Sequence, residues 1–87
     1  MTRIPKVFRI GPFRVAVVQL PPGKLAEALD EEEELEEDRS LGGWVVEDMT
    51  IYLNRTLLRA KKFEVFFHEV AHAAIDFARM EIRDGSN

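Results

Sequence analysis

The sequence contains no cysteine, and its 87 residues include only two histidines, one tryptophan and one tyrosine. Without cysteine there are no disulfides, no thiolate metal ligands and no thiol redox chemistry, and nothing points to an oxidising compartment. Long apolar runs are lacking as well. The amino terminus, M-T-R-I-P-K-V-F-R-I, is broken by Pro5 and Arg9 before any apolar run reaches signal-peptide length. No stretch approaches the roughly 20 apolar residues of a membrane-spanning helix. The sequence therefore predicts a cytoplasmic protein with no membrane partner. Residues 1–87 make one domain, which at this size buries only about 60 to 65% of the surface its unfolded chain exposes.

The net charge of −4 is unevenly spread. Eight of the sixteen acids lie between Asp30 and Asp38, in D-E-E-E-E-L-E-E-D, so the other residues carry twelve Lys and Arg against eight acids, a balance of +4. A block of like charge of this kind reads as a solvated surface segment. A basic body would suit nucleic acid, but the acidic run argues against that partner, and none is expected.

Both histidines fall in one pentapeptide, His68-Glu69-Val70-Ala71-His72, which has the pattern H-E-x-x-H. By chance that pattern arises in a chain this short at a rate on the order of one in several hundred. On a helix, residues four apart stand one above the other, about 6 Å apart along the axis, so the two imidazoles can grip one ion. Glu69 projects about 100° round from His68, where it reaches a water on that ion without being a ligand. At 100° per residue, Phe63, Phe66, Phe67, Val70, Ala71, Ala74, Phe77 and Ala78 share one sector, predicted to be buried. Lys61, His68, Glu69, His72, Asp76 and Arg79 share the opposite, outward sector, with Val65 as an apolar exception among them.

The rest of the chain reads mostly as strands. Lys6 to Leu20 is β-branched and aromatic around Gly11-Pro12, giving two strands joined by a tight turn or one long bent strand. Pro21-Pro22-Gly23 ends it, and Lys24 to Asp38 predicts a short amphipathic helix fraying into the acidic run. Ser40 to Gly43 is expected to be a loop, and Trp44 to Asn54 a hairpin turning near Asp48-Met49. Asn54 or Thr56 is expected to cap the last helix. The fold class predicted is α+β: a three- to four-stranded, mostly antiparallel sheet with the H-E-x-x-H helix packed on one face.

G-W-V-V-E-D-M-T-I-Y-L-N followed by F-E-V-F-F-H-E-V-A-H-A-A-I-D-F resembles the zincin metallopeptidases, and most closely their minimal gluzincin-like domains of phage, prophage and archaeal type. The resemblance covers roughly Gly42 to Phe77. It implies that His68 and His72 are Zn2+ ligands, that Glu69 is the catalytic general base, and that the strand Thr50 to Asn54 is a sheet edge pairing with a peptide or protein substrate. The activity implied is hydrolysis of peptide bonds by zinc-activated water, with Glu69 passing the proton to the leaving amine. Tyr52 is a candidate oxyanion donor, although packing is the commoner role of a strand aromatic.

In gluzincin-like proteins the third zinc ligand is a glutamate on a later helix, and the metzincin pattern needs a third histidine, which this sequence lacks. Asp76, one turn beyond His72, suits an orienting partner for that imidazole. Glu81 and Asp84 reach back to the ion if the chain reverses between Arg79 and Arg83. Otherwise the third position falls to water or to a partner chain, including a second copy in a homo-oligomer. The alternative function is a catalytically impaired zincin-like binding or regulatory module with an incomplete zinc site.

Overall fold

The computed structural model describes residues 3–29 and 41–85, with side chains described as far as Met80. The acidic run 30–38 and the side chains of Glu81 and Asp84 lie outside the described residues. The elements run β1 (Val7–Ile10), β2 (Phe13–Leu20), α1 (Pro22–Ala28), β3 (Gly42–Val45), β4 (Thr50–Asn54) and α2 (Arg59–Gly85). The four strands form one sheet in the order β1-β2-β4-β3. Both hairpins are antiparallel, and the two central strands, β2 and β4, are parallel. The architecture is α+β, and two of the three strand pairings are antiparallel.

The first hairpin closes through Gly11 and Pro12, with Ile10 paired to Phe13. Gly11 has φ of +59°, and Pro12 is held near −65° by its ring, which is the backbone of a type II′ turn. Of the two readings of Lys6 to Leu20, the two-stranded one is therefore found. The helix expected from Lys24 begins earlier, at Pro22, because proline suits the first helical position, where its missing N–H costs nothing. Leu25 and Leu29 are its buried anchors.

Gly42 and Gly43, expected in a loop, are instead the first residues of β3. A Cβ on Gly42 would lie 2.6 Å from the Tyr52 carbonyl oxygen and 3.1 Å from both Leu53 Cδ2 and Val65 Cγ1. This glycine lets helix and sheet approach closely. The second hairpin turns through Val46–Met49, where Asp48 and Met49 N–H donate to the carbonyls of Val45 and Val46 (3.2 and 3.1 Å). Met49 carries the left-handed φ of 53° at the expected place.

Asn54 and Thr56 do not cap α2. The Asn54 Oδ1 accepts from the N–H and hydroxyl of Thr56 (2.9 and 2.6 Å), which folds the loop before the helix. The first carbonyl to enter the α2 ladder is that of Leu58, accepting from Lys62 N–H at 2.8 Å.

The core lies between α2 and one face of the sheet: Val15, Val17, Ile51 and Leu53 from the strands meet Val65, Phe66, Ala73 and Phe77 from the helix. Each of these side chains larger than alanine contributes on the order of 1.5–3 kcal/mol by burial. Phe77 is held on two sides, stacked on Phe13 at 4.1 Å and edge-on to Trp44 at 5.4 Å between ring centres. The helix is rotated from its expected setting. Val65 is 7% exposed and Glu69 7%, while Phe67 is 61% exposed and Ala71 and Ala78 face outward. Phe63, Phe67 and the alanines make α2 apolar over more than half its girth, so composition left two stripes able to pack. The stripe chosen is the one whose Val65 fits over Gly42. Among the described residues, no helix is long and apolar enough to cross a membrane.

Candidate metal centre

His68 and His72 lie on an unbroken stretch of α2, and both side chains are exposed. Their Nε2 atoms stand 3.1 Å apart and the rings meet edge to face, with centres 4.7 Å apart. Two nitrogens bound tetrahedrally at about 2.0–2.1 Å from zinc stand roughly 3.3 Å apart, so this spacing suits one shared ion. A single proton held between the two nitrogens gives the same spacing without a metal.

Glu69 departs from its expected outward position. It is buried on the side of α2 that faces the sheet, in line with Val65 and Ala73. Burying a carboxylate on a core-facing stripe costs several kcal/mol unless it is compensated, and a purely structural helix would place an apolar residue there. Glu69 and His68 line one cavity of about 390 Å³, with Leu41, Lys61, Glu64, Val65 and Phe67. Glu69 therefore forms part of the wall of a recess that His68 also lines.

Lys61, expected on the outward sector, lies beside the site, and Glu64 is a lining residue that the sequence reading passed over. Glu64 stands one helical turn before His68 on the same column, which was the available signal, and it accepts from Lys61 Nζ at 3.4 Å. Leu41, from the segment leading into β3, closes the recess. Its carbonyl is fixed to the sheet by Asn54 N–H at 2.9 Å.

Three expected roles change. Asp76 does not orient His72: its Oδ2 accepts from Trp44 Nε1 at 2.7 Å, tying α2 to β3. Tyr52 alternates with Ile51 and Leu53, which face α2, and so stands on the other side of the sheet from the histidines. There its hydroxyl donates to Asp48 Oδ2 at 2.8 Å, and this hydrogen bond, with some desolvation, raises its pKa from the ordinary 10.0. It is no oxyanion donor for this site. The strand Thr50 to Asn54 is not an edge, because β4 is paired with β2 on one side and β3 on the other. The sheet edge beside α2 is β3.

The third ligand is not found among the described residues: no group of three His, Cys, Asp or Glu there is placed to hold a metal ion. The chain does not reverse between Arg79 and Arg83, since α2 continues to Gly85. At 1.5 Å per residue, position 81 is about 13 Å beyond His72 along the axis and position 84 about 18 Å, too far to share its ion. The residues present fit half of a tetrahedral donor set. Comparison with models of known protein families, with characterised proteins and with solved structures gave no match.

Proposed function

We propose that this domain is a zincin-like hydrolase of peptide bonds, with His68 and His72 as the protein's zinc ligands and Glu69 as general base. The observation that carries this reading is the 3.1 Å approach of two imidazole nitrogens beside a recess lined by His68 and the buried Glu69. A zinc ion bound there would supply Lewis acidity and a water acidified toward neutral pH.

The chain's own residues do the rest. Glu69, shielded from bulk water, is suited to accept a proton from the attacking water and deliver it to the leaving amine. Trp44 and Val65 brace the site on either side of the histidines, one through Asp76 and the other over Gly42. The outer edge of β3 lies alongside this stretch of α2 and has no paired strand among the described residues. An extended peptide added to it as a further strand would run past the imidazoles. The third ligand comes from water or from a partner chain, and both remain compatible with the reading.

Glu69→Gln separates catalysis from metal binding, because it keeps the shape and removes the base. Zinc content should stay at the wild-type level while cleavage of unstructured peptides falls by about 10²–10⁴-fold. Cleavage undiminished in this variant would overturn the assignment of Glu69. A wild-type protein that holds zinc yet cleaves no peptide in a broad peptide library would favour the impaired binding module instead.

A further inference from the structure

A second cavity, of about 500 Å³, lies on the other flank of α2, toward β1 and β2. Arg3, Ile4 and Lys6 line it from the chain leading into β1, Gln19 from β2, and Arg59, Lys62 and Phe63 from the first turns of α2. Four cationic side chains from two separate segments thus share one concavity, and among the described residues no Asp or Glu lines it. Among the described residues, Arg3, Lys6 and Lys62 form no ion pair. Lys62 Nζ is fixed by the Gln19 side-chain oxygen at 2.9 Å.

Like charges gathered in a concave site repel, and their field is focused by the walls. The first turn of α2 carries no acid, so Arg59 and Lys62 also stand near the positive end of the helix dipole. Both terms are relieved by an anion. The Arg3 guanidinium fork and the ammonium groups of Lys6 and Lys62 match the oxygen-rich, multiply charged face of linked phosphates better than a lone carboxylate. Phe63 and Ile4 offer an apolar wall for the body of the same molecule. The volume falls within the roughly 300–1,000 Å³ of small-ligand sites. A nucleic acid is disfavoured, because its extended backbone would need a basic surface on a chain whose net charge is −4.

We propose that this cavity binds a phosphorylated small molecule of nucleotide size, recognised through a diphosphate or equivalent group. The site shares no lining residue with the candidate metal centre. The test is calorimetric titration of the full, metal-free chain with ADP, inorganic pyrophosphate and adenosine at about 150 mM salt, where exposed charges are screened. Saturable one-to-one binding of ADP and pyrophosphate is expected, with none for adenosine. The double variant Arg3→Gln, Lys6→Gln, which alters two exposed side chains outside the helices and strands, should weaken binding at least tenfold or so while the melting curve stays put. Absence of saturable phosphate binding would overturn the proposal, as would adenosine matching ADP, an unaffected double variant, or an oligonucleotide binding more tightly than ADP. Because His68→Ala should leave this binding intact, failure here and failure of the zinc site are read separately.

Discussion

Gly42→Ala measures how closely the metal-bearing helix is seated on the sheet. The added methyl would meet the Tyr52 carbonyl oxygen at 2.6 Å, several tenths of an ångström inside ordinary contact, with Leu53 Cδ2 and Val65 Cγ1 both at 3.1 Å. The two side chains can give a little, but the carbonyl oxygen is backbone within the β3–β4 ladder and cannot rotate away. Either the ladder opens or β3 tilts from α2. Overpacking of this kind costs about 1–3 kcal/mol. In a domain of this size each kcal/mol lowers Tm by about 4–8 °C, so a drop of roughly 5–20 °C is expected in thermal melts, with a matching shift in the urea midpoint. Gly23→Ala is the control. Nothing lies within 4 Å of its added methyl and the residue is already helical, so stability should hold or rise by up to about 1 kcal/mol. If Gly42→Ala is within about 0.5 kcal/mol of the parent, the close approach argued here is wrong.

Other outcomes follow from named contacts. Phe77→Ala removes the ring between Phe13 and Trp44 and should cost about 3–5 kcal/mol by denaturant titration. Trp44→Phe keeps the aromatic body but strips the donor from Asp76, for about 1.5–3 kcal/mol, and a double-mutant cycle with Asp76→Asn should assign most of that loss to the pair. Tyr52 is bonded to Asp48 through its proton, and its folded pKa lies above the unfolded value. That stabilisation is complete below pH 10.0 and is lost as pH rises through the folded value, so Tyr52→Phe should flatten the alkaline decline in stability. An unchanged alkaline limb in that variant would remove the bond from the account.

Strands, turns and the long helix were legible because local chemistry decides them. Gly11-Pro12 permits a two-residue turn, and Pro21-Pro22 stops a strand and starts a helix. What stayed hidden was settled by distant partners. The parallel pairing of β2 with β4 places Thr50 to Asn54 in the middle of the sheet, and nothing within those five residues distinguishes a central strand from an edge. Gly42 and Gly43 read as a loop until Val65 arrives over Gly42, whose missing side chain then becomes the reason a strand fits there. The setting of α2 was the largest miss. Phe67 promised a buried anchor, yet it is Val65 that enters the core and Glu69 that goes under with it. The two histidines were legible as a pair because four-residue spacing survives any rotation of the helix. The environment of Glu69 was not.

The central claim is that His68 and His72 hold one ion together, and the direct measurement is calorimetric zinc titration of the metal-free protein. The account predicts one zinc per chain, weakening in acid because imidazole must be neutral to ligate. Binding should be lost in both His68→Ala and His72→Ala and kept in Glu69→Gln. No stoichiometric zinc, or zinc bound equally well after both histidines are replaced, would contradict it and leave the 3.1 Å contact as a hydrogen bond between two surface rings.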